Sequence, residues 1–310
     1  MNNPKVWLFL ALGIIAAGFL IALGRVLLAA PGPKAPSGRE AAIGFGTNFF
    51  DTLGIGSYAP TTVLFRFFGL VPDERIPGTL TIGHALPTIV QAFIYISIVE
   101  VEMKTLILLI VASIVGSWLG AGVVSRWPKR KIQLGMGAAL LAAALLFVIK
   151  NLDAMRGNPV IPGGSALSLD GALLIVGLAG NFVLGALMTL GIGLYAPCLI
   201  MISLLGMNPT AAFPIMMGSC AFLMPVASLR FLKAEAFSIR PALGLALGGI
   251  PAVLIAAFIV KSLPLTVMRW LVLVVVLYTA VGLLRASRRR QQDEAGVPAA
   301  SRTAPEAAMP

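Results

Sequence analysis

The feature that most constrains this chain is a succession of long apolar runs separated by short polar or basic connections. They cover roughly residues 5–30, 41–70, 78–99, 104–126, 131–150, 171–206, 210–231, 240–262 and 266–285. A helix that crosses a bilayer needs about 20 mostly apolar residues. Its backbone must satisfy itself inside the segment, because the hydrocarbon offers no water. The runs lack strand alternation, so the reading is all-α and polytopic. Of the 310 residues, 58% are hydrophobic and 11% charged, at a mean hydropathy of +0.96. Soluble domains carry about 25% charged residues, so a water-soluble globule of this length is excluded. The first run, Trp7 to Leu23, exceeds the usual signal-peptide core and meets Pro31 after Ala30. It is read as a retained span rather than a cleaved leader.

The net charge of +11 and pI of 10.3 could suggest a nucleic-acid partner. The basic residues instead cluster between apolar runs, as at Arg126, Lys129, Arg130 and Lys131, and again at Arg285 and Arg288–Arg290. That is the signature of orientation in a membrane. No nucleic-acid partner is expected.

Residues 52–60 read TLGIGSYAP and residues 189–197 read TLGIGLYAP, identical at eight of nine positions with an offset of 137. Gly69 falls on Gly206, Pro72 on Pro209 and Pro77 on Pro214 at the same offset. Such self-similarity marks a duplication. With the basic loop 126–131 and the tail in the cytoplasm, loop 151–164 lies outside. Four segments must then return the chain to the tail, so one of them enters and leaves on the same side. The candidate is 171–206, too long for one span and interrupted by Gly191, Gly193 and Pro197. By the same logic 41–70 is a hairpin entered from the cytoplasm. The expected organisation has five parts: an N-terminal span and loop (1–40), repeat one (41–150), an external loop (151–170), repeat two (171–285) and a disordered cytoplasmic tail (286–310). The two repeats are expected to be inverted, each opening on a Gly/Pro-broken hairpin, which is the sequence pointer to a secondary transporter. The host membrane is read as a bacterial inner (plasma) membrane, and homo-oligomerisation is left open.

Pro60 and Pro197 read as N1 residues of helices that begin inside the membrane. The free N–H groups and positive ends of such helices attract an anion. Gly54, Gly56, Gly191 and Gly193 would let backbone approach a ligand. Thr52, Ser57, Tyr58, Thr61, Thr189 and Tyr195 offer hydroxyls nearby, and Cys198 follows Pro197. Thr62 is read as bonding its i−4 carbonyl. These residues form the candidate site for a small anion. Asp51 is the one acid placed deep in a hairpin, and the second repeat has Met188 in its place. It reads as a proton-coupling carboxyl or cation site, with ion rejection or pairing to Arg66 as alternatives. His84, the single histidine, reads either as a packing residue or as a proton relay. Asn181 and Gln91 are assigned to helix–helix hydrogen bonds. With two cysteines, no CxxC and no histidine cluster, no metal site is expected. Walker A, HExxH and GxSxG sequences do not occur, so no cofactor and no enzymatic reaction are expected.

The paired segments FFDTLGIGSYAPTTVLFRFFGL and GALMTLGIGLYAPCLIMISLLGM resemble the TauE/SafE sulfite exporter family of membrane permeases. The resemblance covers about residues 41–285. It implies eight or nine membrane segments and transport of sulfur-containing anions such as sulfite, sulfonates or sulfoacetate. Site-forming positions carried over are Gly54, Gly56, Pro60, Gly191, Gly193 and Pro197. A Tyr-Ala pair precedes each proline here, where many members have a further glycine. The resulting expectation is an anion transporter working by alternating access. An uptake permease or channel for another anion, and a non-transporting scaffold subunit, are its alternatives.

Overall fold

In a computed structural model, the described residues are 4–31, 34–124, 128–155, 164–188 and 193–296. They form α1 (Pro4–Ala29), α2 (Gly38–Thr52), α3 (Tyr58–Phe67), α4 (Ile76–Ile98), α5 (Met103–Val124) and α6 (Lys129–Met155). Then come α7 (Gly171–Met188), α8 (Tyr195–Leu204), α9 (Ala212–Lys233), α10 (Ile239–Ser262) and α11 (Leu265–Gly296). A single 3-10 turn precedes α4 at Asp73–Arg75 and another precedes α9 at Pro209–Ala211. Among the described residues, seven helical stretches are long and apolar enough to cross a membrane by length and composition. The tail expected to be disordered from Ala286 is helical as far as Gly296, because α11 continues through its arginines. Of the expected external loop, 151–155 belong to the end of α6, while 156–163 lie outside the described residues.

Burial is inside-out relative to a soluble protein. Leu28, Trp118, Ile175 and Phe258 are exposed, whereas Asn48, Asp51, Thr52, His84, Gln91 and Asn181 are buried. Lipid accepts the apolar exterior without cost, and the polar side chains turn to the bundle interior where partners exist. The protein is a multi-pass membrane protein.

The elements after α1 recur in one order: long helix, short helix, 3-10 turn, then three long helices. The packing partners recur as well, with the halves exchanged. Helix α2 lies along α10 while α7 lies along α5, and α4 pairs with α9 as α6 pairs with α11. Both long seams rest on glycine. A Cβ at Gly248 would collide with the Ala41 carbonyl, and one at Gly116 with the Phe182 carbonyl. Small residues here let two backbones touch, which is how membrane helices gain packing contact without a hydrophobic driving force.

Hydrogen bonds sort the connections onto two faces. On one face Lys5 Nζ donates to the Ser97 carbonyl (3.1 Å), Glu102 N–H to Leu167 (2.9 Å), and Leu169 N–H to Thr105 Oγ1 (3.2 Å). There too Gly164 N–H donates to Gly206 (2.9 Å). On the other face Arg240 Nε donates to the Ala35 carbonyl (3.1 Å), and the Arg39 guanidinium lies 5.1 Å from the Phe68 ring centre. Ser238 N–H donates to Thr79 Oγ1 there (2.9 Å). The α7–α8 hairpin therefore starts and ends at the first face, and the α2–α3 hairpin at the second.

Candidate functional site

Helix α2 begins with a capping box, in which Ser37 accepts from Glu40 N–H and Glu40 accepts from Ser37 N–H. It ends at Thr52 because the next turn needs left-handed backbone: Gly54 has φ +93° and Gly56 has φ +88°. L side chains rarely adopt that conformation. The chain then turns into α3 at Tyr58. Pro60 is thus the third residue of α3, and Pro197 the third of α8, not the first as the sequence suggested. The reason is unchanged, since no N–H of the first turn has an intrahelical partner. Neither Ser57 nor Leu194 caps its helix with its own side chain.

The tips of the two hairpins meet at one cavity of about 80 Å³. Asp51, Ile55, Gly56, Ser57 and Tyr58 line it from the first hairpin, and Met188, Gly193, Leu194, Tyr195 and Ala196 from the second. Thr88 of α4, Cys220 and Met224 of α9, and Thr279 of α11 complete the wall. Pockets for drug-sized ligands measure about 300–1,000 Å³, so this space suits a few waters or one small ion.

Asp51 is 3% exposed and its carboxylate accepts from Gln91 Nε2 (2.9 Å). It also faces the hydroxyl and backbone N–H of Ser57 and the Tyr195 phenol. The acid therefore sits against the N-terminus of α3. Gln91 joins the halves: its amide nitrogen also donates to Thr52 Oγ1 (2.9 Å), and its oxygen accepts from Tyr195 (3.1 Å). Sequence reasoning assigned Gln91 only to helix packing. Its polarity within an apolar span was the available signal. Thr88, Met188, Cys220, Met224 and Thr279 also line the wall; Met188 is marked by standing where the first hairpin has Asp51, and nothing local distinguishes the others.

Other candidates lie behind the wall. Thr52 donates to the Asn48 carbonyl (2.7 Å) and, through its own carbonyl, accepts from Tyr95 (3.1 Å). Gly54 faces Leu199, Met216 and Phe213. Cys198 is fully buried, and it is Cys220 that reaches the cavity, its thiol 3.7 Å from Met188 Sδ. Pro60 and Pro197 shape the helix starts without lining the space. Thr189 and Gly191 lie outside the described residues. Thr62 bonds the Tyr58 carbonyl (2.8 Å), as expected. Asn181 likewise bonds across helices, to the Leu109 carbonyl (2.6 Å).

His84 is fully buried outside the cavity wall and stacks on Tyr58 with ring centres 5.9 Å apart. Asn48 directs its amide nitrogen to the Gly44 and Leu245 carbonyls, so its oxygen faces His84 Nδ1 (3.0 Å), which donates. That leaves Nε2 beside the Thr61 hydroxyl (3.1 Å), which also lies 2.7 Å from the Ser57 carbonyl. The network holds Ser57 and Thr61 in place. Arg66 pairs with Asp73 on the surface (2.9 Å), so it is not the partner of Asp51. Among the described residues no three metal-ligating side chains gather.

A second cavity, about 190 Å³, lies at the first face. Its walls include Tyr95, Glu100, Asn208, Thr210, Phe213 and Lys261. Tyr95 stacks on Phe213 with ring centres 5.1 Å apart, and its hydroxyl reaches the first hairpin tip. At the other face Gly78 packs against the Ala236 carbonyl.

Fold and cavity together define a helical membrane protein in which two short helices, α3 and α8, start at one interior cavity. Residues 173–309 match the model of a family described as sulfite exporter TauE/SafE, which supports the resemblance carried by the motifs. That family is one of membrane transporters. Comparisons with curated proteins and with solved structures return no match.

Proposed function

We propose that this protein is a secondary transporter for a small, sulfur-containing anion such as sulfite or a sulfonate, bound between the two hairpin tips. The observation that carries the reading is that both internal helix starts, Tyr58 and Tyr195, border one cavity built from both halves. Each start contributes about half a positive charge and unpaired N–H groups. The exchanged packing partners and the opposite faces of the hairpins support an inverted repeat, the architecture of alternating access. Lys34, Arg39, Arg75, Arg130, Lys233 and Arg240 favour a cytoplasmic second face, with the α11 tail on that side. Asp51 is the residue placed to couple the anion to a proton. His84 is a positioning residue, acting through Thr61 and Ser57.

The test is flux of labelled sulfite in proteoliposomes. Saturable flux absent from protein-free vesicles is expected, and Cys220→Trp, which fills the cavity, is expected to abolish it in protein that remains monodisperse. Full flux through that variant would place the pathway elsewhere.

A further inference from the structure

Two helices carry a stripe of side chains from the central cavity to the outer one. On α4, Thr88 lines the central cavity, Gln91 bonds Asp51, and Tyr95, Ile98 and Val99 line the outer cavity. Steps of three and four residues keep these positions on one helical face. From Thr88 to Val99 the stripe is about 16 Å long. On α9, Phe213 lines the outer cavity, Met216 faces Gly54, and Cys220 and Met224 line the central cavity, at the same spacing. Helices α4 and α9 pack together and run in opposite directions between the two spaces.

The two cavities lie on opposite sides of one turn. Asp51 and Ile55 of the first hairpin line the central cavity. Between them, the Thr52 carbonyl accepts from Tyr95 of the outer wall (3.1 Å), and Gly54 faces Phe213 of that wall. The partition is therefore a stacked ring pair, centres 5.1 Å apart and planes 22° apart, laid against residues 53–57, which lie outside the helices. Neither ring hydrogen-bonds the opposite helix: Tyr95 bonds the turn, and phenylalanine has no donor. Parting the rings costs that one bond and leaves every helical hydrogen bond in place. Thr52 ties the partition to the site, since its hydroxyl accepts from Gln91 (2.9 Å) while its carbonyl holds Tyr95. The outer cavity carries Glu100, Asn208, Thr210 and Lys261, polar groups that an ion still holding water can meet before the rings.

We infer that the outer cavity is the chamber through which the anion passes between the first face and the central cavity, with Tyr95, Phe213 and the first hairpin turn as its gate. This rests on the transporter reading above and deepens it by naming the access site and the gating residues. Withdrawal of the first tip takes the Thr52 carbonyl from Tyr95 and Gly54 from Phe213, so the hairpin that borders the bound anion also controls its exit.

Cys220 is a native reporter on the central cavity, and 2-sulfonatoethyl methanethiosulfonate is a thiol reagent that is itself a small sulfonate anion. Purified protein is treated in detergent and the modified cysteine located by mass spectrometry. Phe213→Ala removes half the stack and is expected to speed modification of Cys220 at least tenfold over wild type. Phe19→Ala, which truncates a buried ring on α1, controls for general loosening and is expected to leave the rate within twofold. Leu263→Trp fills the outer cavity. Added to Phe213→Ala it is expected to return the rate to the wild-type value, and alone to reduce sulfite flux in proteoliposomes at least tenfold in monodisperse protein. Should either variant not fold, the other decides alone. An unchanged rate in Phe213→Ala, an equal rise in Phe19→Ala, a raised rate that Leu263→Trp does not lower, or full flux through Leu263→Trp overturns the gate and leaves the transporter reading standing. Absence of sulfite flux in the wild type removes the transporter reading and this inference with it.

Discussion

The two hairpin turns share eight of nine residues, yet the structure places them in different chemical surroundings. The first is polar: Asp51, Thr52, Ser57 and Tyr58 engage Gln91, Tyr95 and Thr81, and His84 braces the start of α3. The second has Met188 where the first has Asp51 and Leu194 where it has Ser57. Its neighbours Cys198, Leu199 and Ile200 are buried among apolar side chains. One positive helix end is therefore covered by a carboxylate and the other is left to the cavity. Two helix starts with nearly the same sequence thus have unlike neighbours, because a few residues differ between them. The shared residues build the breaks, and the differing ones set the charge.

The comparison can be broken most severely at the seams that the two halves have in common. Gly248→Leu and Gly116→Leu each drive a side chain into a facing backbone carbonyl. Overpacking costs about 1–3 kcal/mol even where side chains can yield, and a carbonyl in a helix cannot. Both variants are expected to lose the monodisperse species on size-exclusion chromatography. Loss from only one would mean that the seams do not bear equal weight.

Next in size is the exchange of charge between hairpins. Asp51→Asn is expected to reduce pH-gradient-driven flux at least tenfold, and Met188→Asp in that background to restore part of it, because both positions face one cavity. No recovery in folded protein would show that position, and not only charge, is specified by the first hairpin.

Gln91→Leu leaves partners of the Asp51, Thr52 and Tyr195 side chains unmet, which costs about 1–3 kcal/mol for a buried polar group. It is expected to lower the melting temperature and to raise KM severalfold. Asn181→Leu removes a bond to the Leu109 carbonyl away from the cavity, and is expected to lower stability with KM unchanged. Equal effects on KM would dissolve the distinction between the two amides.

The smallest effect expected is that of Tyr95→Phe. It removes one hydrogen bond to the Thr52 carbonyl, about 0.5–1.5 kcal/mol, and keeps the stack on Phe213. Turnover is expected to change by a few fold at constant KM, read in the same flux assay.

Most element boundaries were legible in the sequence because a membrane leaves the backbone few options. The run 78–99 became α4 at 76–98, 240–262 became α10 at 239–262, and the first hairpin broke at Gly54 and Gly56. The tail is expected to be disordered from Ala286, yet α11 continues through Arg288, a good helix former, to Gly296, while 297–310 lie outside the described residues. The candidate site was half legible. Asp51, Gly56, Ser57, Tyr58, Gly193 and Tyr195 reach the cavity, whereas Thr52, Gly54, Pro60, Thr61, Pro197 and Cys198 do not. A helix of 3.6 residues per turn presents a different face at each successive position. Proximity in sequence to the break therefore could not say which side chains turn inward.

What this sequence determined by itself is local: where helices can run through lipid, and where glycine and proline stop them. Both follow from hydrophobic length and backbone conformational preference, which act within a few residues. That Gln91 bridges the hairpins, that Cys220 and not Cys198 meets the cavity, and that Tyr95 joins the outer cavity to the first tip were decided by packing. Those relations link residues from 32 to 104 positions apart, and only the folded bundle brings them within bonding distance.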